Sequence, residues 1–332
     1  MASQGSVLIT GGAGFIGSEL SHLLSKCAER VIIVDSLING KRENIQKLLT
    51  DRVTFYSYDI CDLDKMIPLL KEVDVVFHLA CLGVRHSIHS PLKNHDVNAT
   101  ATLNLLKASR EAGVGRFVYV SSSEVYGTAQ WVPMTENHPT LPMTVYGGSK
   151  LAGESYTRAF FRTYEYPTVV VRPFNSFGPR SHHEGDSGEV IPKFLLRAMT
   201  GHPLIIHGDG SQTRDFTYVS DTARGILCAG FSEKAVGQTI NLGQGEEITI
   251  NELARLVNEL VKGRTVDVVH EAPRPGDVLR LYADTNQARE LLDFRPKVSL
   301  KEGLGRLKAW YEGGGKSPET LLKDEVTRNW NI

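Results

Sequence analysis

Tyr146-Gly-Gly-Ser-Lys150 sets a phenol and an ammonium four residues apart, which on a helix places them on one face. There the ammonium would lower the phenol pKa and hold the ribose beside a nicotinamide ring, so that Tyr146 acts as a base near neutral pH. Ser121-Ser122-Ser123 closes an apolar run upstream, where a hydroxyl can share the same substrate oxygen. The chemistry this trio suggests is hydride transfer at a carbinol carbon. A Tyr-x-x-x-Lys match alone is common by chance, so its weight rests on the N-terminal stretch of the chain.

That stretch holds Gly11-Gly-Ala-Gly14-Phe15-Ile16-Gly17, between a short apolar run and a helical pattern. Gly11 permits the tight turn, Gly14 lets the backbone approach a pyrophosphate, and Gly17 allows helix and strand to pack closely. The pyrophosphate would rest on the helix N-terminus. Asp35 ends the second apolar run, where a carboxylate accepts from the adenosine ribose and repels a 2′-phosphate. The expected cofactor is NAD rather than NADP. Asp59 and Ile60 come after the third run, at the adenine edge, with a helix N-cap as the competing reading of Asp59.

Groups so far apart in the chain need a scaffold to bring them together. Apolar runs at 7–9, 31–34, 53–55, 73–77, 117–120 and 169–171 are β-branched-rich and too short for helices. Amphipathic stretches at 16–26, 99–112 and 147–164 separate them. Runs without strict alternation suit strands buried on both faces, which predicts an α/β fold: a doubly wound parallel Rossmann sheet. Past Arg172-Pro173 the texture changes to Gly, His and Pro loops at 178–188, 201–210 and 272–276, with helical patterns at 191–199 and 250–261. The expected division is a cofactor domain over 1–175, with 215–245 returning to it. A smaller C-terminal substrate-binding α/β lobe takes 176–214 and 246–312, and a polar tail runs from 313 to 332.

Bulk composition excludes other classes. The chain has 332 residues, with 37 Lys+Arg against 38 Asp+Glu and a net charge of −1. That balance leaves no electrostatic footprint for nucleic acid or an anionic membrane, so an anionic substrate needs a local clamp of arginines. Four scattered cysteines without a C-x-x-C pair read as reduced thiols. No apolar run is long enough to span a bilayer, and the expectation is a soluble cytoplasmic protein. His182-His183-Glu184 and His86-x-x-His89 lack a convincing third ligand, so no metal is expected.

Taken together, the chain resembles the extended short-chain dehydrogenase/reductase family, in its nucleotide-sugar epimerase/dehydratase branch. The matching segments are the 10–17 glycine stretch, His78-Leu-Ala80, Ser121-Ser-Ser-Glu-Val-Tyr-Gly127, Tyr146 to Lys150, the 172–180 and 212–221 stretches, and Arg274-Pro-Gly-Asp277. The resemblance implies that Ser122, Tyr146 and Lys150, with Ser123 beside them, oxidise the sugar C4 hydroxyl to a ketone. It places Leu79, Ala80 and Pro173 along the cofactor. Arg85, Asn175, Arg214 and Arg280 would hold a nucleotide-diphosphate sugar, and Val190 would lie against its base, with UDP favoured over dTDP. It further implies a homodimer through the helices at 99–112 and 147–164.

The branch divides by the fate of the 4-keto intermediate. Glu124 stands where 4-epimerases carry Ala or Ser and where 4,6-dehydratases and UDP-glucuronate decarboxylases carry Glu. A C4 ketone acidifies the C5 proton, which a nearby carboxylate can remove. Dehydratases commonly have Asp where this chain has Ser123, and decarboxylases place an arginine where it has Leu281. The loop at 181–189 has the length of UDP-hexose 4-epimerases. A 4,6-dehydratase-like lyase leads, with 4-epimerase and decarboxylase as alternatives. A nucleotide-sensing protein that kept the fold and lost its chemistry should have lost Tyr146, Lys150 or the serines; all are present.

Overall fold

The computed structural model describes residues 4–330 other than Lys262 and Arg264. Six strands come from the first half: β1 (Gln4–Thr10), β2 (Ala28–Val34), β3 (Val53–Tyr56), β4 (Val75–His78), β5 (Arg116–Val120) and β6 (Thr168–Pro173). A seventh, Thr239–Leu242, is absent from the apolar runs because it is short and carries Asn241. It pairs with β6, and the parallel sheet runs Thr239–Leu242, β6, β5, β4, β1, β2, β3.

The pleat explains why these strands read as continuous apolar runs. Val7 and Ile9 of β1 point into one core with Val31, Ile33 and Phe77, while Leu8 points into another with Ile32, Val76 and Phe117. Both faces are covered, so neither half of the alternation can be polar. Helices α1 (Phe15–Leu24), α2 (Leu63–Leu70), α3 (Val84–His89), α4 (Pro91–His95), α5 (Ala101–Glu111) and α6 (Val145–Tyr164) fill the connections. Leu20 and Leu24 of α1 cover the first face, and Met66, Leu69, Leu105 and Leu106 of α2 and α5 cover the second. A π-helical turn, Asp96–Thr100, leads into α5. Chain order reverses between β1 and β4, which opens a crevice at the carboxyl ends of the strands.

A separate core lies beyond it. Helix α7 (Val190–Thr200) contributes Ile191, Phe194 and Leu195, the helix Ile250–Leu260 contributes Leu253 and Val257, and the helix Leu300–Glu312 contributes Leu304 and Leu307. The strand pair Leu204–His207 and Val268–Glu271 adds Leu204 and Ile206. Between the two cores, α8 (Val219–Phe231) packs Ala223 and Ile226 against the large sheet. In the tail, Pro318–Leu322 is a short helix whose Leu321 and Leu322 pack on the second core. Its last two residues, 331 and 332, lie outside the described residues.

Candidate active site

The cofactor end is built by the turn after β1. Gly11 sits at φ +68°, and a Cβ there would meet the Ala80 backbone nitrogen at 2.7 Å; a Cβ on Gly17 would meet the Gly11 carbonyl at 2.0 Å. Only glycine fits either place. Gly14 caps α1 with no side-chain bond, which leaves the first amides of the helix free for a pyrophosphate. The buried Asp35 carboxylate accepts from the amides of Ala13 (3.0 Å) and Leu37 (2.8 Å), and burial pushes its pKa up against those bonds. Gly40, unnoticed in the sequence, makes room for it, since a Cβ there would stand 2.5 Å from Asp35 Oδ1. Phe15, Ile16, Asp59, Ile60, Leu79, Ala80 and Pro173 line the same cleft. Asp59 accepts from the Cys61 amide at 2.9 Å and is not the N-cap of α2, a position held by Asp62. The fold, the glycine cradle and the placed carboxylate suit NAD.

The chemical groups converge on the next stretch of the cleft. Ser122 caps a 3-10 turn, Ser123–Val125, and its Oγ accepts from the Glu124 amide at 3.2 Å. That turn packs on the start of α6, where a Cβ on Gly147 would meet the Glu124 carbonyl oxygen at 2.7 Å. Ser122, Ser123, Glu124, Tyr146 and Lys150 therefore face one space. The expected lowering of the Tyr146 phenol by Lys150 is not present in the protein alone. Burial holds the phenol well above its usual value, the nearby Cys81 adds to that, and the Ser122 hydroxyl opposes it. Lys150 instead donates to the Val120 carbonyl at 2.6 Å, and burial lowers its own pKa.

Glu124 is a carboxylate without a hydrogen bond to protein among the described residues, so it is not a backbone-bonded strand-end group. Burial raises its pKa, while the charges of Arg214 and Arg85 pull the other way. Arg214 is held by Asp277 at 2.8 Å and by the Thr213 carbonyl at 2.8 Å. Asn175, Val190 and Arg85 also line the cleft. Arg280 does not. It is exposed and paired with Glu247, because the extended chain there sends Leu281 and Ala283 inward and turns Arg280 out. The guanidinium that reaches the cleft is Arg274, whose pKa burial and Arg85 bring down to about 10 and whose Nε is buried without a partner. Arg274-Pro-Gly-Asp277 is visible as a motif in the sequence, but the motif alone gives its arginine no role. Asn175 Oδ1 is also buried without a partner. Two such unpaired polar atoms in a cleft wall are what a phosphate or sugar would satisfy.

Two further groups escape a reading of the sequence. Asn98 grips both backbone groups of Leu82, accepting from its amide (2.8 Å) and donating to its carbonyl (2.9 Å), which fixes the segment carrying Arg85. Glu189, half-buried in the loop over the cleft, has its pKa raised to about 7 by desolvation. The loop is tied to the sheet domain by the ion pairs Arg180–Glu19, Lys41–Glu184 and His89–Asp186. Thus His89 pairs with a carboxylate, as do His182 and His183 with Glu184. Among the described residues no three His, Cys, Asp or Glu side chains converge on a metal position, and no helix is long and apolar enough to cross a membrane.

The fold and this cleft define an NAD-dependent Rossmann enzyme with a Ser/Tyr/Lys site. The GDP-mannose 4,6 dehydratase family model matches residues 8–307. A putative UDP-glucose 4-epimerase of Methanocaldococcus jannaschii is 36% identical over 318 residues, 94% of this chain and 100% of that protein. Among solved structures, the epimerase Mth375 of Methanothermobacter thermautotrophicus is 39% identical with a TM-score of 0.90, covering 97% of this chain and 96% of its own. DesIV, a dTDP-glucose 4,6-dehydratase of Streptomyces venezuelae solved with NAD and TYD bound, is 33% identical with a TM-score of 0.86, covering 92% and 97%. The chain belongs to the extended short-chain dehydrogenase/reductase family, in its nucleotide-sugar epimerase/dehydratase branch, and its cofactor is NAD.

Proposed function

We propose that the enzyme oxidises C4 of a nucleotide-diphosphate hexose, UDP-linked in preference to dTDP-linked, and then removes the C5 proton with Glu124, in the manner of a 4,6-dehydratase. The observation that carries this reading is the Glu124 carboxylate, unbonded in the cleft and next to the serine turn, with burial raising its pKa. A carboxyl raised in this way is a better base for a carbon acid than an ordinary one. NAD, when bound, supplies the hydride acceptor and later donor, and its cationic ring favours the phenolate. Tyr146 takes the C4 hydroxyl proton, with the Ser122 hydroxyl on the same oxygen. Lys150 and Asp35 orient the two riboses. Arg214, Arg274 and Asn175 hold the diphosphate and Arg85 the sugar, while Val190 lies along the base. The proton that Glu124 takes from C5 equals the one the departing C6 oxygen needs, so loss of water balances with one carboxylate even though Ser123 is no acid.

A 4-epimerase is the second reading, favoured by what the Methanocaldococcus relative and Mth375 are named. Decarboxylation has less support, because Leu281, where that chemistry has an arginine, is fully buried among Val125, Phe174 and Val278. The deciding experiment is incubation of the enzyme with a panel of UDP- and dTDP-hexoses and uronic acids, read by product mass. Loss of water is expected. An unchanged mass with a changed sugar would replace the lyase by the epimerase, and loss of carbon dioxide would replace both.

A further inference from the structure

The tail beyond Gly313-Gly-Gly315 returns to the cleft. After the helix Pro318–Leu322 it runs on through turns as a strap along the second lobe, secured at nearly every residue. The Asp324 carbonyl accepts from the Gly185 amide at 3.2 Å, Glu325 pairs with Arg197 at 2.9 Å, and the Val326 carbonyl accepts from Lys193 Nζ at 2.8 Å. Arg328 meets Glu271 at 3.2 Å. The buried Asn329 donates to the carbonyls of Asp186 (3.1 Å) and Gly188 (3.2 Å), both in the loop over the cleft. The strap sets Trp330 in the cleft wall, edge-on to the His207 ring with centroids 4.7 Å apart.

The bonds of Asn329 show which part of the cleft this is. The Gly188 carbonyl that it holds at 3.2 Å stands two residues before Val190, the side chain that lies along the base in the proposed function. Trp330 and Val190 line one cleft with Arg214 and Arg274, the arginines of the diphosphate clamp.

We propose, resting on the nucleotide-sugar reading of the site, that the C-terminal strap is part of the binding site, with Trp330 as the aromatic wall against the pyrimidine nucleoside. Indole and pyrimidine offer each other flat π-faces, and the strap's grip on Asp186 and Gly188 lets the same segment hold the loop closed over the diphosphate. The strap, over residues 323–330, is a specificity element.

The test is titration of the full-length protein with UDP and dTDP, by calorimetry and by tryptophan fluorescence, beside NAD as the control for an intact fold. Wild type is expected to bind UDP with quenching of its fluorescence. Trp330→Phe keeps a ring and should bind UDP within about threefold of wild type while losing the quench. Trp330→Ala should weaken UDP roughly tenfold, the loss of one base-stacking contact, with NAD affinity unchanged. Equal UDP affinity in wild type and Trp330→Ala, or a quench that persists in Trp330→Phe, overturns the strap and leaves the enzyme's chemistry standing. Failure of wild type to bind either nucleotide overturns both readings.

Discussion

The Lys150 ammonium lies 2.6 Å from the Val120 carbonyl oxygen and donates to it, which ties the middle of the catalytic helix to the end of β5. The same ammonium is 4.5 Å from the centre of the Tyr119 ring. Lys150 is thus spoken for before cofactor binds, and Tyr146 sits in a buried site that favours the neutral phenol.

The Tyr146 phenol should therefore titrate above its usual range near 10 in the free protein, and bound NAD, bringing a cation, should move it down. A base is active when deprotonated, so kcat/KM should rise with pH along its acid limb. Difference absorbance of wild type against Tyr146→Phe, with and without NAD, measures the shift directly. Tyr146→Phe should also lower kcat by about 100-fold or more while leaving NAD affinity near wild type. A phenol that titrates at the same pH with and without NAD would remove the cofactor's part in activating it.

Much of this site is legible in the sequence because its parts obey local rules. The 10–17 stretch needs glycine for contacts made within a few residues, and Tyr146 and Lys150 share a face through helical periodicity alone. Arg280 and Arg274 show where such rules stop. Both precede the buried Leu281, and which one reaches the cleft depends on extended-chain alternation and on the isolated bridge between Thr213 and Arg280, a contact across a long sequence separation. Trp330 and Asn329 are opaque for the same reason. Their partners, His207, Asp186 and Gly188, lie far back in the chain, and no periodicity marks a strap. The strand Thr239–Leu242 escapes because Asn241, inside it, spends its polarity on Tyr126 (2.7 Å) and the Met134 carbonyl (2.9 Å).

Beneath the cleft, Arg172 and Glu154 form a buried two-pronged ion pair at 2.8 and 2.6 Å, and Arg172 also donates to the Tyr126 hydroxyl at 2.7 Å. Burial alone would raise the Glu154 carboxyl, but the bonds and charge of Arg172 outweigh it and hold the group below its ordinary 4.5. Removing one partner strands the other charge, so Glu154→Ala should cost about 3–5 kcal/mol in urea unfolding. Because the folded pKa is the depressed one, this stabilisation is complete above pH 4.5 and is lost as pH falls through the folded value. An unfolding midpoint in Glu154→Ala equal to wild type at pH 7 would refute the assignment.

Asp35→Ala combined with Ser36→Arg should exchange cofactor preference. The double variant loses the carboxylate that repels a 2′-phosphate and gains a cation that pairs with one. NAD affinity should fall about tenfold or more, the worth of a charged hydrogen bond, and NADP affinity should rise. Two bonds to the Ala13 and Leu37 amides are lost as well, so some stability goes with them. Unchanged affinity for both cofactors would mean that the ribose lies elsewhere.

We propose that two copies of the chain pair through α5 and α6. The outer sides of these helices carry Leu103, Val145 and Tyr164 in exposed positions, with Leu92 of the adjoining α4 80% exposed. Arg110 stacks 4.3 Å above the Tyr164 ring, which joins the two helices at that face. A two-fold axis there would bury the apolar positions against their own copies. Light scattering at micromolar concentration should give twice the chain mass, and Leu103→Glu combined with Tyr164→Glu should halve it. A monomeric wild type would exclude this pairing.

Glu124 carries the choice of reaction. As the C5 base it removes the C5 hydrogen, which leaves with the C6 oxygen as water; C5 is then reprotonated from Tyr146, which holds the exchangeable C4 hydroxyl proton, as hydride reaches C6, so product formed in heavy water should hold one deuterium at C5. Glu124→Gln keeps shape and donates where the carboxylate accepted, but it cannot take a proton. Label should vanish, and the reduced cofactor, visible by its absorbance, should accumulate, because oxidation depends on Tyr146 and Ser122 rather than on Glu124. Turnover should drop by about 100-fold or more, the usual worth of a positioned base. A raised Glu124 pKa also sets the sign of the pH dependence: elimination should fail on the acid side earlier than with an ordinary carboxylate, while the first hydride step does not share that limb. An epimerase behaves in the opposite way, since its keto sugar turns over in the cleft without breaking a C5–H bond. No deuterium in the product, together with near-normal turnover of Glu124→Gln on an accepted substrate, would put Glu124 outside the chemistry and make the enzyme an isomerase.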